Sequence, residues 1–357
     1  MIAASGSADR VVVTGDVLRP PFASQDENII WMGEVLRRPV EAGTGLRVGK
    51  LEASPWPAVV EQVYRELNLP LNNEGWAALF ESPPPASLLD FLKTQLQGAV
   101  VVGFELPPIL KTALEAVHVP CLELLVHPIR FCSDLLLAMR FSDRRPLEVL
   151  RHYAISYEEV RLRAEGIRDR CRATAGITED GPLNLITVQV PWDRSVIYKG
   201  RFSSLLDYRD QLAEVRRNEG RLAVKPHPDI GVPQEVAVWA ASEQVAVTTR
   251  NFYELMSSGA VSSVVSLSSS TLDEAEAFQI PARRLLPQRS RFFYRDSEQF
   301  TPGDYVVVND AWHRASFWYA ALHSFARQAD TIREASFPVN LRESRNVFWD
   351  WRPGFAG

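Results

Sequence analysis

Apolar residues follow two rhythms along this chain. Short runs of consecutive aliphatic residues predict buried strands, and three-to-four spacing predicts helices. Residues 11–18 open as a strand that runs into a turn, whereas residues 19–50, dense in Pro, Gly and Arg, read as irregular. Helical spacing covers 57–67 and 87–96, and the run Pro83-Pro84-Pro85 blocks any earlier start of the second helix. A strand over 99–105, a helix over 108–117 and a strand over 120–126 make a βαβ unit, which favours a parallel sheet. The Arg- and Glu-rich stretch 156–173 predicts a long amphipathic helix with a solvated face.

The pattern restarts after residues 178–182. Strands over 184–190, 222–225, 245–248, 261–266 and 283–286 alternate with helices over 202–217, 234–241, 251–258 and 271–278. A late helix is expected over 311–329. The fold class is therefore α/β, with two doubly wound, Rossmann-type domains facing a central cleft. The expected division is an N-terminal domain over 1–175, a second over 176–305, and a helical segment over 306–357 packing back across both. A cleft of that kind is the usual place for a small-molecule site.

Composition narrows the function. The 357 residues are 46% hydrophobic and 23% charged, as in ordinary globular proteins. A net charge of −5 argues against a nucleic-acid binder held by bulk electrostatics. No apolar run approaches a bilayer span, and the first residues lack the charged and apolar regions of a signal peptide. Three cysteines, Cys121, Cys132 and Cys171, have no metal-ligand spacing, so a reduced cytoplasmic setting is expected.

Four clusters carry candidate chemistry. In Lys225-Pro226-His227-Pro228, a strand runs out into a proline-stiffened cationic turn, a place for a phosphate at a strand's carboxyl end. A plain strand exit is the bland alternative. Gln189 and Asp193 follow the preceding strand, 34 residues before His227, so the two loops are expected side by side; a turn aspartate bonding its own backbone is the alternative for Asp193. Ser268, Ser269, Ser270 and Thr271 crowd a strand end and a helix start, where they can cap the helix and admit an anion. In the first domain, Glu105 follows one strand, and Glu123, His127 and Arg130 accompany the next. A glutamate inside a strand requires a partner, and for Glu123 an ion pair with an arginine competes with a functional role. The chain has no Gly-rich phosphate loop, no Gly-x-Ser-x-Gly elbow and no Asp-x-Asp motif for a metal-bound nucleotide diphosphate.

Taken in order, Gln-x-x-x-Asp-x-Ser-Val, Lys-Pro-His-Pro-Asp and Ser-Ser-Ser-Thr with Glu-Ala resemble the CMP-sugar glycosyltransferases of bacterial capsule and O-antigen synthesis. The nearest look is that of the retaining β-Kdo transferases of the KpsC and WbbB kind, over about residues 98–290. The resemblance implies a GT-B-like fold, with the acceptor on the N-terminal domain and CMP-β-Kdo on the second. It implies Asp193 as the nucleophile that forms a Kdo adduct, and His227 with Lys225 on the CMP phosphate. Ser268, Ser269, Ser270 and Thr271 then complete the phosphate cradle, and Gln189 orients the Asp193 loop. Glu123 is the first choice for general base and Glu105 the second, while His127 and Arg130 are assigned to the acceptor or the Kdo carboxylate. Glu123 departs from the family's Glu-Asp-Gly-type motif. No metal or other cofactor is implied. The implied acceptor is a saccharide, lipid-linked in the family, with peripheral contact to the inner membrane or to other assembly enzymes. An inverting, sialic acid-type CMP-sugar transferase and a non-catalytic glycan- or nucleotide-binding module remain the alternatives.

Overall fold

The computed structural model describes residues 8–142, 147–172, 182–325, 334–348, 350–352 and 355. In chain order the first elements are β1 (Arg10–Thr14), α1 (Phe22–Thr44), β2 (Arg47–Leu51), α2 (Pro57–Glu66), α3 (Asn73–Leu79) and α4 (Ala86–Gln95). There follow β3 (Ala99–Phe104), α5 (Pro108–Ala116), β4 (Cys121–Val126), β5 (Leu137–Phe141), α6 (Leu147–His152) and α7 (Tyr157–Arg172). The next group is β6 (Leu183–Thr187), β7 (Ile197–Tyr198), β8 (Arg201–Phe202), α8 (Arg209–Glu219), β9 (Arg221–Lys225), α9 (Gln234–Ser242), β10 (Ala246–Val247) and α10 (Phe252–Ser257). The remainder is β11 (Val261–Ser266), α11 (Ser270–Ala277), β12 (Ala282–Arg284), β13 (Phe292–Phe293), β14 (Tyr305–Val308), α12 (Ala315–Leu322) and α13 (Leu341–Arg345).

The chain is mixed α/β and forms two compact units, each on its own parallel-dominated sheet. The units are not the consecutive blocks expected from the sequence. The first comprises Met1–Val126, Leu137–Ile155 and Arg291–Asn340; the second comprises His127–Leu136, Ser156–Ser290 and Leu341–Gly357. The physical reason is long-range pairing: β14 joins β5 and so belongs with the first sheet, although it lies more than 160 residues later in the chain.

In the first unit the order is β13-β14-β5-β4-β3-β1-β2, with β1 to β4 parallel and β5 antiparallel to both neighbours. Val100, Val101 and Val102 of β3 are all fully buried, as expected of a strand covered on both faces. The stretch 19–50, expected to be irregular, instead holds α1 and β2. Ile29, Met32, Leu36 and Val40 fall at three-to-four spacing and are all fully buried, and that stripe outweighs the helix-breaking Pro39. The helix ends at Gly45, whose φ of 72° lets its N–H reach the Glu41 carbonyl.

In the second unit the order is β10-β9-β6-β11-β12, and every pair is parallel. From β6 the chain winds outward through β9 to β10, then returns to the other side of β6 for β11 and β12. This is a doubly wound sheet whose winding reverses between β6 and β11. Ile186, Val224 and Val265 pack on one face with Leu212, Val215, Val236 and Ala240. Leu185 and Val264, one residue away along the strands, are also fully buried, so both faces are covered. The segment His127–Leu136, between β4 and β5, is fastened within this unit. Glu274, fully inside, accepts from the Arg130 N–H at 2.7 Å and the Tyr253 hydroxyl at 2.9 Å, and burial pushes its carboxyl up to about 7. The guanidinium of Arg342, 1% exposed, donates to the carbonyls of Arg130 and Cys132. All three cysteines are buried, and none of them forms a disulfide.

Candidate functional site

The carboxyl ends of β9, β6 and β11 are adjacent in the second unit, with Thr187 paired to Lys225 and Ile186 to Val265. Three of the four clusters read from the sequence therefore meet at one edge of the sheet, at its winding reversal. Open α/β sheets bind ligands there because the diverging connections leave a crevice.

Gln189 is the joint of this edge. Its Oε1 accepts from the Ser268 N–H at 2.8 Å, and its Nε2 donates to the Ser195 hydroxyl at 2.9 Å. The Ser268 hydroxyl donates to the Ser195 carbonyl at 2.6 Å, which closes the link between the two loops. Below them the Thr187 and Thr271 hydroxyls lie 2.7 Å apart, and the Ser266 hydroxyl donates to the Thr187 carbonyl at 2.7 Å. Gln189 was expected to orient the Asp193 loop; its bond to that loop is the one to Ser195, two residues beyond Asp193.

Asp193 ends a tight turn in which its N–H donates to the Val190 carbonyl at 3.1 Å. Pro191 and Trp192 occupy the turn's corner, and Trp192 is left half exposed. The Asp193 Oδ1 accepts from the Ser195 N–H at 2.7 Å and caps the short 3-10 helix Arg194–Val196. This is the turn role weighed for Asp193, and it employs one carboxylate oxygen.

Lys225 and His227 differ from their expected form. Lys225 is 7% exposed, and its Nζ lies 2.9 Å from Asp350 Oδ2, so its charge is already paired. His227 does not continue an extended strand: its backbone bonds to Gly231 in both directions, and the loop closes through the φ of 74° at Gly231. The His227 Nδ1 accepts from the Asp229 N–H at 3.2 Å, so in the neutral ring Nε2 bears the proton and is a donor. Two influences compete on this ring. Burial pulls its pKa down, while the Asp229, Asp193 and Asp350 carboxylates push it up, and burial is the stronger. Ser269 caps α11 by accepting from the Thr271 N–H at 3.3 Å, with Ser270 as the first helical residue.

The remaining candidates lie on other elements, Glu105 and Glu123 in the first unit and His127 and Arg130 in the second. Glu123 is 4% exposed, and both of its oxygens are engaged: Arg140 at 2.6 Å on one, the Tyr305 hydroxyl at 2.6 Å and Lys111 at 3.5 Å on the other. That is the ion-pair alternative raised from the sequence, and it makes Glu123 a structural carboxylate. His127 is fully buried; its Nδ1 accepts from the Ile129 N–H, and burial with the neighbouring Arg130 holds its pKa well below the usual histidine range. Its expected contact with a ligand is therefore replaced by bracing of the turn. Arg130 is part-buried in the second unit, with Glu274 on its own N–H. Glu105 is half-buried at the end of β3 with a φ of 51°, a left-handed conformation that costs a non-glycine residue energy.

One residue of this edge escaped sequence reading: Asp350 lies 125 residues beyond Lys225 and no local pattern announces it. Ser195 stands in the Gln-x-x-x-Asp-x-Ser-Val motif and, two residues after Asp193, carries the spacing of a side-chain cap, though no role was given to it. Among the described residues no helix is long and apolar enough to cross a membrane. Among the same residues, no three His, Cys, Asp or Glu side chains converge as metal ligands.

No protein-family model matches the chain. No curated protein matches it either. Among solved structures, the chain is similar to Thermosulfurimonas dismutans KpsC, a beta Kdo 2,7 transferase, at 13% identity and a TM-score of 0.40, over 77% of each chain.

Proposed function

We propose that this protein is a glycosyltransferase that moves Kdo from CMP-β-Kdo to a saccharide acceptor with retention of configuration. The observation that carries the reading is the meeting of Gln189 with Asp193, Lys225 with His227, and Ser268 with Ser269, Ser270 and Thr271 on three adjacent strand ends at the winding reversal. In the proposed first step Asp193 Oδ2 attacks the anomeric carbon, the bond from that carbon to the phosphate oxygen breaks, and CMP leaves with the electron pair. In the second step an acceptor hydroxyl attacks the same carbon from the opposite face. The bond to Asp193 breaks, the hydroxyl proton passes to a base, and two inversions give net retention. Glu105 replaces Glu123 as the proposed base, because Glu123 is committed to Arg140, Lys111 and Tyr305. With Lys225 paired to Asp350, the leaving phosphate relies chiefly on neutral donors: His227 Nε2, the serine hydroxyls and the N–H groups that open α11. The proposed reaction needs no metal or other cofactor. A lipid-linked acceptor and peripheral attachment to the inner membrane belong to the same proposal.

The test is direct. Incubation with CMP-Kdo and a saccharide acceptor should release CMP, and digestion of the quenched enzyme should yield an Asp193-containing peptide heavier by one Kdo residue. Asp193→Asn should abolish both. Inverted product with no adduct would replace double displacement by single displacement. No CMP release with any acceptor would leave a binding module.

A further inference from the structure

Asp350 is fixed independently of Lys225. Its Oδ2 accepts from the Phe252 N–H at 2.9 Å, and its carbonyl oxygen accepts from Asn251 Nδ2 at 2.6 Å. Asn251 is held in turn, because its Oδ1 accepts from the N–H groups of Tyr253 and Glu254. The carboxylate is thus pinned by the start of α10, and the ammonium of Lys225 reaches it from the end of β9 at 2.9 Å. A lysine side chain has four rotatable bonds and carries a large rotamer entropy. Held at one point by a rigid carboxylate, it points its other N–H bonds in fixed directions, and an arriving ligand need not order it. Asp350 also faces His227 electrostatically, together with Asp193 and Asp229. One carboxylate from the far end of the chain therefore acts on both cationic candidates of the site.

We propose that Asp350 is a positioning residue for the phosphate of the donor nucleotide, acting through Lys225. The inference rests on the nucleotide-sugar reading of the site and adds to it a residue that no motif contains. It differs from a displaceable plug: two donors besides Lys225 hold Asp350, so the phosphate joins the lysine beside the carboxylate instead of taking its place.

A double-mutant cycle read by calorimetric titration with CMP tests this. Lys225→Met and Asp350→Asn are each expected to weaken CMP binding about tenfold, and the double variant about tenfold as well, because both changes remove one device. Asp350→Glu, which keeps the charge and moves it, should bind between wild type and Asp350→Asn. A purely structural role predicts a lower Tm for Asp350→Asn with unchanged CMP affinity, and that result overturns the proposal. So does a double variant weakened about a hundredfold, the product of two independent losses, or tighter binding by Asp350→Asn, the sign of a plug. Should Asp350→Asn fail to fold, Asp350→Glu decides: wild-type affinity for CMP rejects the proposal. If the wild-type protein does not bind CMP, the nucleotide-sugar reading falls first, and this inference with it.

Discussion

His227 is held between opposite pulls. Burial favours the neutral ring, and three surrounding carboxylates, Asp193, Asp229 and Asp350, favour the cation, while Lys225 opposes it. The balance lies below the ordinary histidine value, so near pH 7 the unliganded ring is neutral. A bound phosphate brings further negative charge to Nε2 and raises that pKa, so binding takes up a proton. The sign follows: CMP affinity should rise as pH falls from about 8 to 6, across the ordinary histidine range. Titrations in buffers of different ionisation enthalpy should show proton uptake, and His227→Gln, which keeps a donor but does not titrate, should flatten the profile. A flat wild-type profile would mean that His227 does not meet the phosphate.

Among the elements, α1 and α12 show how close packing governs sequence choice. A Cβ placed on Gly43 would stand 2.2 Å from the Ala315 carbonyl oxygen and 3.0 Å from the Tyr319 nitrogen, both backbone atoms that cannot swing aside. Gly43→Ala should therefore destabilise the first unit by about 1–3 kcal/mol despite alanine's better helix propensity. Urea unfolding would measure it; a gain in stability would show that the helices separate freely. The same helix marks the boundary of what sequence reveals. Strand β3 was legible because a strand covered on both faces is an unbroken apolar run, and β4, β6, β9 and β11 because the aliphatic pairs Leu124-Leu125, Leu185-Ile186, Ala223-Val224 and Val264-Val265 stand out beside their polar positions. Helix α1 was hidden by Pro39 and by its many charges, although its buried stripe was present. Strands β5 and β14 acquire their meaning from pairing across a long interval of chain, which no local rhythm records. The site divides in the same way. The grouping of the Asp193, His227 and Ser269 loops was legible because loops after parallel strands converge at the strand ends. The choice between the two readings of Glu123 was not legible because the identity of its partners is tertiary: of Arg140, Lys111 and Tyr305, the last lies 182 residues away.

Across the whole molecule, the chain passes between its two units five times, at the boundaries after residues 126, 136, 155, 290 and 340. The last segment matters most to the second unit, because Arg342 binds the Arg130 and Cys132 carbonyls and Asp350 binds Lys225. Removing residues 341–357 should therefore loosen the second unit and spare the first. Hydrogen exchange provides the measure: β6, β9 and β11 are expected to lose protection while β1 and β3 retain it. Equal loss in both units would reject the assignment of this segment.

The placement of Asp350 also sets a clock. Ribosomes deliver the chain from its N-terminus, so Lys225 emerges well before the carboxylate that neutralises it. Until residue 350 is free of the exit tunnel, the second unit has a buried ammonium with no counter-ion and two carbonyls awaiting Arg342. Large chains commonly mature domain by domain during synthesis, but this unit cannot complete itself in step with the synthesis of residues 156–290. The strands of its sheet are all made by residue 284, yet Lys225 gains its counter-ion only once residue 350 has emerged.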